Sequence, residues 1–366
     1  MVSIPATNES VPRPRGARLA AYLALAYLLI IIYASLTPFT GWRDPGMDLW
    51  SFLSAPRSRY IRRFDIFINF FAYVPLGFLL ALALQSRLSI KTALAVSTLC
   101  GFTLSVGMEA VQMYLPTRTS STLDLLSNGL GGFIGALIAS RVAVRGIIAV
   151  RLAEFRDRWF ISGNLGDLGL VLLGLWFVSQ LNPSLPLLGI VFFSDGLNPV
   201  VHRFSLIGSL SVMCNFVSIG LLLMLLMRTA KAAFIATLVL LSATSVIKLL
   251  AAAVLLKPEA LLQWLTAESV VGIGYGLFIV SASLLLAIRQ IIPVCAFALA
   301  AGIFVAHLHA GDSRSSLALH LFSWHYGHLL NFTGLARITA ELWPFAALGY
   351  LCLLVQRLRA GIRHRV

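Results

Sequence analysis

Long apolar segments alternate with short polar segments along the whole chain, and the apolar segments have the length of a membrane-crossing helix. A helix needs about 20 apolar residues to cross the hydrocarbon core of a bilayer. The first segment follows a basic stretch, is too long for a signal-peptide core and is followed by no cleavage site, which indicates an uncleaved first helix. The pattern predicts an all-α, polytopic transmembrane bundle with about ten spans, at residues 18–36, 67–85, 92–113, 122–140, 166–181, 204–227, 232–256, 267–288, 291–308 and 342–356.

Composition supports this class and excludes a water-soluble domain. Hydrophobic residues make up 59% of the chain and charged residues 11%, with a mean hydropathy of +0.89. Soluble domains carry about 25% charged residues. The four cysteines lie in apolar segments without metal-like spacing, so they predict buried thiols rather than disulfides or a metal site.

The net charge of +14 is a signal of topology rather than of nucleic-acid binding. Most of the 28 Lys and Arg residues fall in alternate connecting segments, and most acidic residues fall in the others. By the positive-inside rule, the basic segments lie in the cytoplasm. We therefore expect both termini to be cytoplasmic and expect no nucleic-acid partner.

The order of spans predicts five regions and a duplication. They are a cytoplasmic tail (1–17), a first transmembrane domain (18–141), a basic cytoplasmic linker (142–164), a second four-helix half (165–290) and two additional spans with a basic tail (291–366). An offset of about 140 residues aligns Glu109 with Lys248 and Asn128 with Glu268. Internal repeats are common in transporters, and in this chain they predict two degenerate four-helix halves followed by two extra helices.

A cluster of polar residues stands out in the first half. The second span carries Asp65, Asn69 and Tyr73 at spacings of four, and the fourth span carries Asp124 and Asn128 at the same spacing. Residues four apart share a helix face, and glycines further along each face predict close helix approach. Three more candidates belong to the third span and the short connection after it: Glu109, Gln112 and Arg118.

Three interpretations of this cluster remain open. It could fix helix packing by hydrogen bonds, bind a polar headgroup, or catalyse a reaction with Glu109 and Asp124 as acid and base. Carboxylates could also hold Mg²⁺ or Ca²⁺, but we expect no resident metal or cofactor. We interpret five histidines near the last spans as interfacial residues rather than a zinc site: His307, His309, His320, His325 and His328.

The pattern of polar residues in the first half of the chain resembles that of the VanZ-like family. The resemblance rests on YASLTPF from Tyr33, on Asp65, Asn69 and the VPLGF that begins at Val74, on E-x-x-Q-x-x-x-P-x-R from Glu109, and on D-x-x-x-N-x-x-G from Asp124. It covers roughly residues 18–141, and the second half lacks the E-x-x-Q and Arg pattern. It implies a bacterial inner-membrane protein of the cell envelope, in a context of glycopeptide resistance or exopolysaccharide, without a known reaction.

We therefore expect a multi-pass protein that binds, shields or helps to translocate a polyprenyl-linked glycan or another anionic headgroup at the outer leaflet. Arg118, with Arg62 or Arg63, would contact phosphate, while Asp65, Asn69, Asp124 and Asn128 would contact hydroxyls. One alternative is a hydrolase or transferase that acts on a lipid-linked phosphate. Another is a secondary transporter built on the repeat, in which Lys248 and Glu268 would matter for transport as much as Glu109 does. Separately, we expect Lys248 and Glu268 to form a structural pair across spans 7 and 8.

Overall fold

The computed structural model describes residues 17–37, 39–44, 46, 48, 50–51, 63–116, 121–145, 147–183, 185–188, 204–310 and 327–363. Within these ranges it describes the backbone alone at 63–65, 143–145, 147–149, 152, 307–310, 327–333 and 360–363. The described chain forms eleven α-helices: α1 (Ala17–Leu36), α2 (Arg63–Leu84), α3 (Ile90–Gln112), α4 (Thr122–Arg145), α5 (Ile147–Trp159), α6 (Asn164–Gln180), α7 (Leu206–Leu226), α8 (Ala230–Leu255), α9 (Ala267–Ala282), α10 (Ile288–Ala310) and α11 (Gly327–Arg363).

The prediction of a polytopic helical bundle is confirmed. Nine helices of the described chain are long and apolar enough to cross a membrane, and each overlaps a predicted span. The predicted span at 166–181 corresponds to α6, which is apolar but has only 17 residues. The predicted basic linker is largely helical, because α5 occupies Ile147–Trp159.

The chain divides into two compact units, Met1–Phe155 and Arg156–Val366. The division falls inside the segment predicted as a linker. The regions predicted as a second half (165–290) and as additional spans (291–366) lie together in the second unit.

Glycines bring α2 and α4 of the first unit into backbone contact. A Cβ atom on Gly131 would overlap the carbonyl of Phe70, and one on Gly135 would overlap the carbonyl of Val74. On α2, a Cβ on Gly77 would overlap the carbonyl of Gly132. Small residues allow such approach between helices in lipid, where packing rather than the hydrophobic effect holds helices together.

The second unit is built around α7. Nearly all of α7 from Val212 to Leu226 is buried, and α9 and α10 pack against it. Gly272 of α9 faces Ser209 and Val212 so closely that a Cβ atom there would overlap both. A helix that is apolar on all sides and buried is expected at the centre of a membrane bundle.

The segment after α6 is irregular yet buried. Leu185, Leu187 and Leu188 are each less than 5% exposed, and Leu188 has a φ of +61°. Irregular backbone persists at membrane depth only where protein groups satisfy its amides and carbonyls. The Leu187 amide donates to the Trp264 carbonyl, its carbonyl accepts from Ser269, and the Leu188 amide donates to the Gln180 side chain.

Candidate functional site

A row of small and polar residues along α3 provides the base of the candidate site. Ala93, Ser97, Gly101, Ser105 and Glu109 follow one another at intervals of four and are all buried. Positions four apart form one face of a helix, so this face is directed into the first unit. Small residues along it leave the Glu109 carboxylate, at the end of the row, among the neighbouring helices.

The Glu109 carboxylate is bound at the start of α4. Its Oε2 accepts a hydrogen bond from the Ser121 amide at 2.8 Å, and the side chain is only 3% exposed. Ser121 precedes the first residue of α4, and its hydroxyl accepts from the Leu123 amide at 3.2 Å. A helix N-terminus has unpaired amides and a partial positive charge, both of which favour a carboxylate. Local structure therefore explains how a buried acid is accommodated at this position.

Asp124 lies in the first turn of the same helix. Its side chain is half-buried, and it is near enough to Glu109 for the two carboxylates to interact electrostatically. Two of the predicted site residues are therefore brought together. The start of α4 stabilises negative charge at this place.

Asn128, one turn further along α4, points towards α3. Its Nδ2 donates to the Ser105 hydroxyl at 2.9 Å, and both side chains are buried. The Tyr73 hydroxyl from α2 lies near Ser105 and Glu109, but its geometry forms no hydrogen bond with either. We call Tyr73, Ser105, Glu109, Ser121 and Asn128 the inner polar cluster.

Two buried atoms of the inner polar cluster lack a hydrogen-bond partner among the described residues. They are the Tyr73 hydroxyl and Oδ1 of Asn128. Tyr73 is 3% exposed and Asn128 6% exposed. Most buried polar atoms in native proteins are paired, so an unpaired one calls for an explanation such as a role in binding.

The remaining predicted residues are distributed around the cluster. Gln112 donates to the Ser35 carbonyl at 2.8 Å and so connects α3 to the end of α1. Asn69 is half-buried on α2. The backbone of Asp65 belongs to α2, but its side chain, like that of Arg63, is not described. Arg118 and Arg62 lie outside the described residues, so the predicted phosphate contacts stay predictions.

Sequence reasoning gave no role to Tyr73 and did not include Ser105, and it named Ser121 only within 119–122, a run of hydroxyl residues expected to cap span 4. The spacing contained a signal for two of them. Tyr73 continues the row from Asp65 and Asn69, and Ser105 stands four residues before Glu109. The bond from the Ser121 amide to Glu109 was not predictable, because every residue type except proline carries a backbone amide.

The described residues contain no group of three or more His, Cys, Asp or Glu side chains that could hold a metal ion. The five histidines lie outside the described chain or have undescribed side chains. Carboxylate, amide and hydroxyl groups of the inner polar cluster can instead accept and donate hydrogen bonds. Such a set suits a ligand with hydroxyl groups.

In the second unit, the expected pairing of Lys248 with Glu268 is wrong. The Lys248 ammonium donates to the carbonyls of Gln180 at 2.9 Å and Asn182 at 2.8 Å. Glu268 instead accepts from the Ser205 amide at 3.0 Å. Each charge is satisfied by backbone groups at a helix end, and charge patterns in a sequence do not reveal such partners.

The comparison with protein families agrees with the geometry of the first unit. The model of the VanZ/LLP1 family matches residues 18–145, which include α1 to α4 and the inner polar cluster. The chain carries a VanZ-like domain. The VanZ-like domain spans about a third of the chain, and the match does not extend to α6–α11. No curated protein and no solved structure gives a significant match.

Proposed function

We propose that the VanZ-like domain binds the headgroup of a polyprenyl-linked glycan precursor, or a similar anionic lipid, at the outer leaflet of the bacterial inner membrane. Binding would shield the headgroup or help it to cross, in the context of glycopeptide resistance or exopolysaccharide. In this orientation both chain termini are cytoplasmic, as the positive-inside rule predicts.

The observation that carries this proposal is the pair of unpaired buried atoms beside Glu109. A ligand hydroxyl could donate to Oδ1 of Asn128, and the Tyr73 hydroxyl could donate to a ligand oxygen. Such bonds would remove the cost of about 1–3 kcal/mol that a buried unsatisfied polar group carries. The described cluster is rich in acceptors and therefore suits sugar hydroxyls, whereas contact with phosphate is assigned to Arg118.

Two tyrosines of the same unit allow a matched test. The Tyr73 hydroxyl makes no hydrogen bond with the described residues, whereas the Tyr27 hydroxyl donates to the Ala72 carbonyl at 2.9 Å. Loss of a hydroxyl used only for ligand should weaken binding without lowering stability. Loss of a hydroxyl used for packing should lower stability without weakening binding.

The full chain in nanodiscs would be titrated with a polyprenyl phosphate and with a polyprenyl-pyrophosphate-linked sugar, and binding followed by native mass spectrometry. We expect Tyr73→Phe to weaken binding of the sugar-carrying lipid by about 3- to 10-fold, the value of one hydrogen bond, at unchanged thermal stability. Tyr27→Phe should lower stability and leave affinity unchanged.

Equal affinities for Tyr73→Phe and the parent chain would contradict the proposal, as would the absence of binding of either lipid. Equal affinities for the two lipids would mean that the protein contacts the phosphate end of the headgroup and not the sugar. Turnover of a lipid that is abolished in Glu109→Gln would instead assign catalysis to the pair Glu109 and Asp124.

A further inference from the structure

Lys248 is the most unusual buried group of the second unit. It lies in α8, is 0% exposed, and carries an ionisable side chain in a helix whose composition is that of a membrane span. Among the described residues no carboxylate forms an ion pair with it. An uncompensated charge in the membrane interior costs several kcal/mol, and such groups usually have a function.

The groups that receive the ammonium are backbone carbonyls at the end of α6. Gln180 is the last residue of α6 and Asn182 follows two residues later, and both side chains are buried. The last four carbonyls of a helix have no partner within the helix, and together they carry a partial negative charge. The end of α6 therefore provides a place where a cation is stabilised without a carboxylate.

Among the described residues, the helices around Lys248 supply no competing charge. The ionisable side chains of α6 and α7, which pack against α8, are Asp167 in the first turn of α6 and Cys214 of α7. Asp167 is bound to Arg156. Glu268 of α9 is bound to the Ser205 amide. Within the described part of the chain, backbone carbonyl oxygens are thus the groups that receive the Lys248 ammonium.

A third oxygen lies on the same face of α8. Thr244 precedes Lys248 by four residues, and its hydroxyl is buried without a hydrogen-bond partner among the described residues. Residues four apart on a helix are neighbours. Two carbonyls at a helix end and a nearby hydroxyl are the kind of oxygen set that holds monovalent cations in membrane proteins.

We propose that the carbonyl end of α6 is a monovalent-cation site that Lys248 fills with its own ammonium group. The positive charge, and not only hydrogen bonding, then holds the irregular segments 181–183 and 185–188 in their buried positions. Removal of the side chain should leave a site that a small cation from solution can occupy.

The test uses the full chain in detergent and its apparent Tm. Lys248→Ala should lower the Tm by at least about 5 °C, a large shift for a unit of this size. Ammonium, methylammonium or potassium chloride at about 0.1 M should restore a good part of the loss, compared with N-methylglucamine chloride at the same ionic strength. The parent chain should show no difference between these salts.

Lys231→Ala is the matched control, because Lys231 lies in the first turn of the same helix and is exposed. It should change neither the Tm nor the response to cations. If Lys248→Ala folds and none of the three cations raises its Tm above the N-methylglucamine value, the proposal is wrong.

Two further variants keep the proposal testable if Lys248→Ala does not fold. Lys248→Gln retains an N–H donor without charge, and Lys248→Arg retains the charge. The proposal requires Lys248→Arg to be more stable than Lys248→Gln. A Lys248→Gln variant as stable as the parent chain would show that a neutral donor is sufficient, and would overturn the proposal.

Discussion

The Glu109 carboxylate accepts the Ser121 amide at 2.8 Å, so the buried acid of α3 caps the start of α4. This bond joins two helices that are consecutive in the chain. It also places the negative charge where the α4 macrodipole favours it. The acid therefore has a structural role even before any ligand is considered, and this role can be measured separately.

Replacement of Glu109 should destabilise the protein, and the loss should be larger when the new side chain has no oxygen that can accept from the Ser121 amide. Glu109→Ala leaves the Ser121 amide without its acceptor, which we expect to lower the free energy of unfolding by about 1–3 kcal/mol. Glu109→Gln keeps an oxygen for that amide and should cost clearly less. Thermal unfolding of the purified variants in detergent measures the difference.

Glu154→Ala serves as the control, because Glu154 is exposed in the same unit, and its loss should stay within about 0.5 kcal/mol. If Glu109→Gln and Glu109→Ala were equally destabilised, the carboxylate charge rather than the hydrogen bond would hold α4. That result would contradict a capping role for the Glu109 oxygen.

Neighbouring glycines of α4 should differ sharply in their tolerance of alanine. A Cβ atom on Gly131 would overlap the Phe70 carbonyl, whereas one on Gly132 meets nothing within 4 Å. Gly131→Ala must therefore separate α2 from α4 and should cost about 1–3 kcal/mol, as overpacking does. Gly132→Ala should be tolerated. Yields and unfolding temperatures would decide, and equal behaviour of the two variants would argue against close packing of α2 on α4.

The side-chain amide of Gln112 should contribute to stability, because it donates to the Ser35 carbonyl at the end of α1. Ser35 lies in the last turn of α1, where carbonyls lack helical partners. We expect Gln112→Ala to lower the free energy of unfolding by about 1 kcal/mol. Gln112→Glu, which places a carboxylate against the carbonyl, should cost more. Urea unfolding would measure both.

Exposed Gln263 provides the control for this pair. Gln263→Ala should leave stability unchanged, since no packed carbonyl depends on it. A Gln112→Glu variant more stable than Gln112→Ala would show that the Ser35 carbonyl has another donor, and the proposed link between α1 and α3 would then be unimportant.

Most of the fold could be predicted because each membrane helix must satisfy its own backbone hydrogen bonds within one apolar segment. The starts of α3 and α9, for example, follow from Ser89 and Thr266, polar N-cap residues that precede apolar segments. The close approach of α2 and α4 followed from the glycines after Asn128. The irregular segments 181–183 and 185–188 were not predictable, since they bind groups such as Lys248 and Trp264 that are distant in the chain.

The site was predictable only in part for a related reason. Side chains such as Glu109, Asp124 and Asn128 were identified because polar residues are rare in apolar segments. Their partners were not identified, since Glu109 binds a backbone amide and Lys248 binds backbone carbonyls. Backbone groups are the same at almost every position, so a sequence can mark a buried charge without revealing its partner.

The two carboxylates on Arg156 should differ greatly in their contribution to stability. Asp167 is 0% exposed and bound to the guanidinium, whereas Asp157, at 3.0 Å from the same side chain, is 29% exposed. Removal of one partner of a buried ion pair leaves an uncompensated charge and typically costs about 3–5 kcal/mol. Removal of a solvated partner costs about 0–1 kcal/mol.

We therefore expect Asp167→Asn to lower the free energy of unfolding several times more than Asp157→Asn, measured in detergent at low salt. Both variants keep the shape of the side chain and change one charge beside the same guanidinium, so each controls for the other. Added salt should reduce the small loss of stability in Asp157→Asn further. It should leave the large loss in Asp167→Asn unchanged, because buried ion pairs are screened little. Similar losses for the two variants, or a large loss for Asp167→Asn that disappears in salt, would mean that water reaches Asp167 and that the start of α6 is not held by a buried ion pair.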